Sequence, residues 1–366
     1  MRPYDQLVSY IALSAPATRR PATGDEPHVR PEFGFTPKWY RESVGIDFGE
    51  QWHTSPAYRR DAWIRMAHEV RRRFPGIPIG QVEDPDQPTD LLTGVHGASF
   101  VALLFGIPID YQGDNWPWSA REHLDGPQVD ALAPPDLDKS EPFARLLEQI
   151  DWIEGELGQV NGFMNWQGVL NSAYRIRGED LFLEMLKEPE RVNHLCRCVA
   201  ETMIDGARRL YERQRSTGVD IQHFTVSNCL VNMVSGEHYE EFLLPHDQHI
   251  SETFGLIGVH NCAWNANFYL DPYSKIPDVA YVDMSMESDL EKAHELFPDT
   301  RRAIMYTPMD VRDKPVLELR ADLERIAAVY GPCDIVFADI EDGTPDEKVH
   351  DLWRICAEIS ETSGAA

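Results

Sequence analysis

The most regular apolar pattern lies between Asp180 and Arg215, where Val192, Leu195, Cys196, Val199, Met203, Ala207, Leu210 and Tyr211 recur at steps of three and four. That spacing predicts one buried face of a long helix, with Cys196 on it as a small hydrophobe. Cys198 and Cys356 also fall in helical patterns and read the same way. From residue 219 onward the pattern changes. Short apolar runs at 221–226, 256–260, 279–283, 303–306 and 335–338 alternate with helical patterns at 236–254, 288–296 and 317–329. This alternation is what parallel βαβ units require. Five runs, each followed by polar residues, predict an α/β barrel of the (β/α)8 type. An open doubly wound sheet shares the pattern, but no Gly-x-Gly-x-x-Gly follows any run to make a dinucleotide site.

The first part of the chain is different. Seventeen of the 26 prolines fall before residue 150, which predicts short helices broken by turns. Residues 14–37 carry Pro16, Pro21, Pro27, Pro31 and Pro37 with little apolar periodicity and read as an extended arm, wrapping the domain or reaching a second copy in a homodimer. No internal repeat or low-complexity tract interrupts the chain.

Length and composition fit this picture: 366 residues, 42% of them hydrophobic and 26% charged, accommodate one barrel with insertions and a large core. A net charge of -27 repels phosphate backbones and anionic lipid surfaces, which argues against nucleic-acid and membrane partners. The one dense basic run, Arg71 to Arg73, reads as a solvated helix end. No run reaches the ~18 apolar residues that span a bilayer, and the first residues lack a secretory apolar region, so the expectation is a cytoplasmic protein with reduced cysteines.

In parallel α/β folds the reactive groups lie just past the carboxyl ends of the strands. That rule selects Asn228 and Cys229, His260 and Cys262, Asp283, Tyr306 and Thr307, and Asp339 with Glu341. His260 and Cys262 are the sharpest pair, because residues two apart leaving a strand point the same way and an imidazole with a thiolate favours zinc. A catalytic zinc site wants a third protein ligand. Cys333 opens its strand and so lies at the far end of the fold; Cys229, Asp339 and Glu341 lie at the right end, and Asp339 is the preferred choice. Asp283 and Glu341 are read as the general acid and base, although Asp283, Asp339 and Glu341 are equally explained as helix caps. Trp116, Trp118, Asn165 and Tyr306 are the expected walls of a pocket for a small, flat or methylated substrate, with Trp166 and Trp264 as further aromatics nearby.

Several blocks together, Cys229 to Pro245, Gly258-Val259-His260-Asn261-Cys262, Val279 to Ser285 and Gly343-Thr344-Pro345, resemble the uroporphyrinogen decarboxylase superfamily. Residues 161–195 and 98–118, the latter with Trp116-Pro117, are similar to earlier parts of the same pattern, so that roughly 270 of 366 residues take part. The resemblance implies a barrel over 76–366, with 1–75 as an arm and helices packed on it. It is nearer to the corrinoid-linked methyltransferase branch: the arginine-rich opening of the decarboxylases and their histidine on the last loop are absent. The methyltransferase branch implies zinc held by His-x-Cys and a later cysteine, matched here by His260 and Cys262, with Ala338 or Asp339 standing where the later cysteine belongs. It also implies a corrinoid, which must come from a partner protein because no Asp-x-His-x-x-Gly signature occurs in this chain. The expected activity is therefore metal-dependent methyl transfer; a decarboxylase or lyase, and a non-catalytic small-molecule-binding barrel, are the alternatives.

Overall fold

A computed structural model describes residue 24 and residues 26–363. Six strands form one parallel sheet: β1 (Val29–Phe35), β4 (Phe224–Ser227), β5 (Ile257–His260), β6 (Val279–Met284), β7 (Arg301–Tyr306) and β8 (Cys333–Ile340), in the spatial order β1-β8-β7-β6-β5-β4. Two short strands, β2 (Ile109–Asp110) and β3 (Trp118–Ser119), pair antiparallel apart from it. Sixteen α-helices occupy the remaining regular structure among the described residues, so the α/β class expected from the alternation holds.

The five apolar runs after residue 219 all become strands, and the helices between them form where the 3.6-residue periodicity places them. Two helices are shorter than expected, for one reason. The pattern at 236–254 splits into Gly236–Phe242 and Leu244–Phe254, and the long helix begins at Pro189 after a separate Asp180–Lys187 segment. In both cases a proline in the first turn starts a new helix, since it lacks the N–H that continuing the old one requires.

The proline-rich segment departs further from expectation. Residues 14–23 lie outside the described residues, but Val29–Phe35 is a strand of the main sheet rather than an arm. It pairs in parallel with β8, Val29 opposite Cys333 and Phe33 opposite Phe337. Pro31 is tolerated because β1 is an edge of the ladder, where one N–H can be spared. Val29, Phe33 and Phe35 are buried against the core, an apolar set that the prolines around it obscure in the sequence.

The sheet has two different faces. Residues of one face join the main core with the helices, whereas Tyr281, Ala303 and Val336 form a separate small cluster with Met305 and Ala338 on the other. The ladder ends at β1 and β4, and no backbone pairing joins these two edges among the described residues. Side chains tie the segment 161–163 to its neighbours: Phe163 N–H donates to Thr93 Oγ1, Asn161 Nδ2 to Thr89 O, and the Phe163 ring lies 5.1 Å from His223, which precedes β4.

No helix among the described residues is long and apolar enough to cross a membrane.

Candidate metal centre

At the carboxyl ends of β4, β5 and β6 the register does the assembling. Ser227 stands opposite His260, and His260 opposite Asp283. Paired residues in a parallel ladder point to the same face, so the imidazole and the carboxylate meet. His260 Nδ1 donates to Asp283 Oδ2 at 2.6 Å, and Tyr281 Oη donates to the same oxygen at 2.7 Å. The other oxygen, Oδ1, accepts the Cys262 backbone N–H at 3.0 Å. One buried carboxylate thus fixes both members of the His-x-Cys pair. It holds the His260 proton on Nδ1, which makes Nε2 the acceptor atom of the ring.

Cys262 has a positive φ of 62°, a conformation that a non-glycine side chain adopts only at a cost of about 1–3 kcal/mol. The Asp283 bond to its N–H stabilises that turn. Cys229 arrives from β4, two residues beyond its end, after Asn228 N–H has extended the ladder to His260 O at 2.7 Å. The ligand atoms of Cys229, His260 and Cys262 all lie within 4.8 Å of one another. The Cys262 thiol is pushed well up, first by its hydrogen bond with Cys229, then by burial, then by the charges on Cys229 and Asp283.

Asp339 stands next to this group. It too has a positive φ, 55°, at the penultimate position of β8. Its side chain is reached by solvent, yet burial raises its carboxyl above the usual range, opposed by a hydrogen bond from Trp116 and the charge of His260.

The residues singled out from the sequence therefore separate. The third converging ligand atom is the Cys229 sulfur; Asp339, the preferred choice, lies beside the set and outside it. Residue type and strand end alone do not separate Cys229 from the carboxylates, because the turn that carries Cys229 toward His260 is a tertiary feature. Asp283 sits behind His260 with both oxygens engaged, one by His260 and Tyr281 and the other by the Cys262 N–H. Glu341 turns to the surface, half-exposed, and pairs with Arg312 at 3.0 Å. Tyr306 is buried and donates to Asp322 at 2.7 Å. Trp118 is 56% exposed with the Arg175 guanidinium 5.8 Å from its ring centre, while Trp116 reaches Asp339.

Asn165 accepts the Gln167 N–H, and its Nδ2 is buried without a hydrogen-bond partner. It is linked through Gln167 and Asn171 to Leu230 N–H, the residue after Cys229. Tyr281 was missed altogether. Its position two before Asp283 on one strand face was the available signal.

No family model matches this sequence, and no curated protein does. The fold is similar to that of a methyltransferase from Methanosarcina mazei, with a TM-score of 0.64 and 16% identity over 95% of this chain and 99% of that one.

Proposed function

We propose that this chain is a metal-dependent methyltransferase that exchanges a methyl group between a small substrate and a corrinoid carried by a partner protein, on a fold we read as a (β/α)8-type barrel. The observation that carries the reading is the convergence of Cys229, His260 and Cys262 from the ends of two adjacent strands. Three protein ligands with an open position are the mark of a catalytic zinc site, whereas a structural site has four.

The donors suit the ion. Two sulfurs and one imidazole favour zinc over the oxygen-seeking magnesium and calcium. Bond lengths of about 2.3 Å to sulfur and 2.0 Å to nitrogen imply ligand–ligand edges of about 3.5 Å, which side chains within 4.8 Å reach by small rotations. The set is also the one that the superfamily resemblance implies, with the later cysteine replaced by one from an earlier strand. The likeness to a methyltransferase fold points the same way.

A zinc ion held there would supply Lewis acidity to a nucleophile or leaving group at its open position. Asp283 keeps the His260 Nε2 lone pair directed at the centre. The Asp339 carboxyl, beside His260 and Cys229, is placed to take the proton that an acceptor releases as it gains the methyl group, and Trp116 N–H holds that carboxyl in position. Trp118 and Asn165 border the substrate in this reading.

Reconstitution with zinc tests the proposal directly. The native protein is expected to hold about one equivalent, and Cys229→Ser or Cys262→Ser less than about a tenth, because each of three or four ligands accounts for roughly 3–5 kcal/mol of a typical zinc affinity. Loss or formation of the methyl–cobalt absorption of added free methylcobalamin, abolished by chelation, is the activity expected. A native protein that keeps less than about a tenth of an equivalent sinks the metal reading, and carbon dioxide release that survives both chelation and Cys262→Ser would move the assignment to a decarboxylase.

A further inference from the structure

Behind the three ligand residues lies a second layer that nothing in the proposed chemistry uses. Its centre is Asp247, on the helix Leu244–Phe254, 1% exposed. Asp247 Oδ2 accepts the Tyr239 hydroxyl and, at 3.3 Å, Asn228 Nδ2. Asp247 Oδ1 is buried with no hydrogen-bond partner. Asn228 is the residue before Cys229. On the other side, Tyr273 Oη donates to Asn261 Oδ1 at 2.9 Å, and Asn261 is the residue between His260 and Cys262. The two halves meet: Tyr239 and Tyr273 both lie against the Asn228 amide, and their rings pack edge to face with centres 5.2 Å apart.

All five side chains are fully buried or nearly so. A carboxylate placed in apolar surroundings with only half its acceptor capacity filled is costly, by about 1–3 kcal/mol for an unmet polar group. Packing alone would be better served by an apolar residue. The feature that the cost accompanies is the junction between the turn bearing Cys229 and the turn bearing His260 and Cys262.

We propose that Asp247 is a positioning residue for the metal centre: through Asn228, and through Tyr239 and Tyr273 to Asn261, it sets the Cys229 turn and the His260–Cys262 turn in the mutual position that three-point coordination needs. The inference rests on the metal reading above and deepens it. Partners one shell out from a metal typically change affinity by about 10- to 100-fold when removed. Asp247 is to Cys229 what Asp283 is to His260 and Cys262, acting through a neighbour instead of on the ligand itself.

Cobalt(II) is the probe, because its visible bands report both coordination geometry and thiolate bonding. Asp247→Ala is expected to weaken cobalt affinity by about 10- to 100-fold in competition with a chelator and to shift the ligand-field bands. Asp247→Asn, which can still accept from Tyr239 by its Oδ1 while keeping the shape, is expected to stay within about threefold of the native protein. Tyr273→Phe removes one oxygen without changing volume and is expected to weaken binding by less than Asp247→Ala, again with a band shift. It supplies the test if Asp247→Ala fails to fold. A merely structural role predicts lowered melting temperatures of the metal-free variants with unchanged cobalt spectra and affinities. That result, in a native protein that binds one equivalent, overturns the positioning role and leaves the metal centre standing. A native protein that binds no cobalt removes the metal centre, and this inference with it.

Discussion

The two ends of the parallel sheet solve opposite problems. At the amino ends of β7 and β8, Arg301 grips Asp334 with two nitrogens at 2.6 and 3.1 Å, Arg30 adds a third contact at 2.8 Å, and Glu26 closes on Arg301 at 3.1 Å. Each of these four charges faces an opposite one, while the neighbouring buried Arg302 spends its guanidinium on backbone carbonyls. At the carboxyl ends, two thiols crowd an imidazole, two non-glycine residues take positive φ, and a carboxyl is raised by poor solvation. Crowded donors mark one end and mostly paired charge the other, the division between a reactive face and a stabilising face that parallel α/β folds commonly show.

Breaking each end should therefore give different losses. Arg301→Met leaves the Asp334 carboxylate with one guanidinium in place of two, and is expected to cost about 3 kcal/mol of stability while zinc content stays native. Urea titration and metal analysis on the same preparation check both halves; lost metal with unchanged stability would contradict the contrast. Asp283→Asn should do the reverse. The amide cannot accept equally from His260 and Tyr281 at one oxygen while also accepting from the Cys262 N–H at its nitrogen, so metal affinity is expected to fall by about 10- to 100-fold, with a smaller effect on stability.

The smallest effect is a slope with pH. Burial raises the Asp247 carboxyl to about 6, against the hydrogen bonds from Tyr239 and Asn228 that lower it. The titratable groups facing it are Tyr239, Tyr273 and Cys196, all themselves raised by burial and by Asp247. The folded protein thus holds a proton that the unfolded chain gives up near pH 4. Its contribution to stability is fully present below that and is lost as pH rises through about 6. Relative to the native protein, metal-free Asp247→Asn should gain stability between pH 4 and 6, by at most about 1.4 kcal/mol per pH unit, and no more above that window. A stability difference flat with pH would show that Asp247 ionises as freely in the folded state as in the unfolded chain.

Much of this architecture is legible along the chain. β5 to β8 fall within a few residues of the apolar runs that announce them, because their side chains are buried on both faces and a parallel strand then reads as a short continuous hydrophobic stretch. The His260–Cys262 pair was legible too, since direction along a strand follows from counting by two. β1 was not, because Pro27, Pro31 and Pro37 punctuate a strand whose edge position makes a proline harmless. Glu341 looked catalytic by position, yet its partner Arg312 comes from the helix Pro308–Asp313, and that meeting has no trace in either segment alone.

What the sequence determined by itself is whatever depends on neighbours a few residues apart: the alternation of strands and helices, their punctuation by proline, and the aim of His260 and Cys262. What only the tertiary structure decided is which distant groups share a face, namely Cys229 as the third donor, Asp283 as the carboxylate behind His260, and Asp247 beneath them. Parallel strands are joined by crossovers of many residues, so their register is set by the packing of the whole sheet, and a ligand contributed by another strand cannot be read from local spacing.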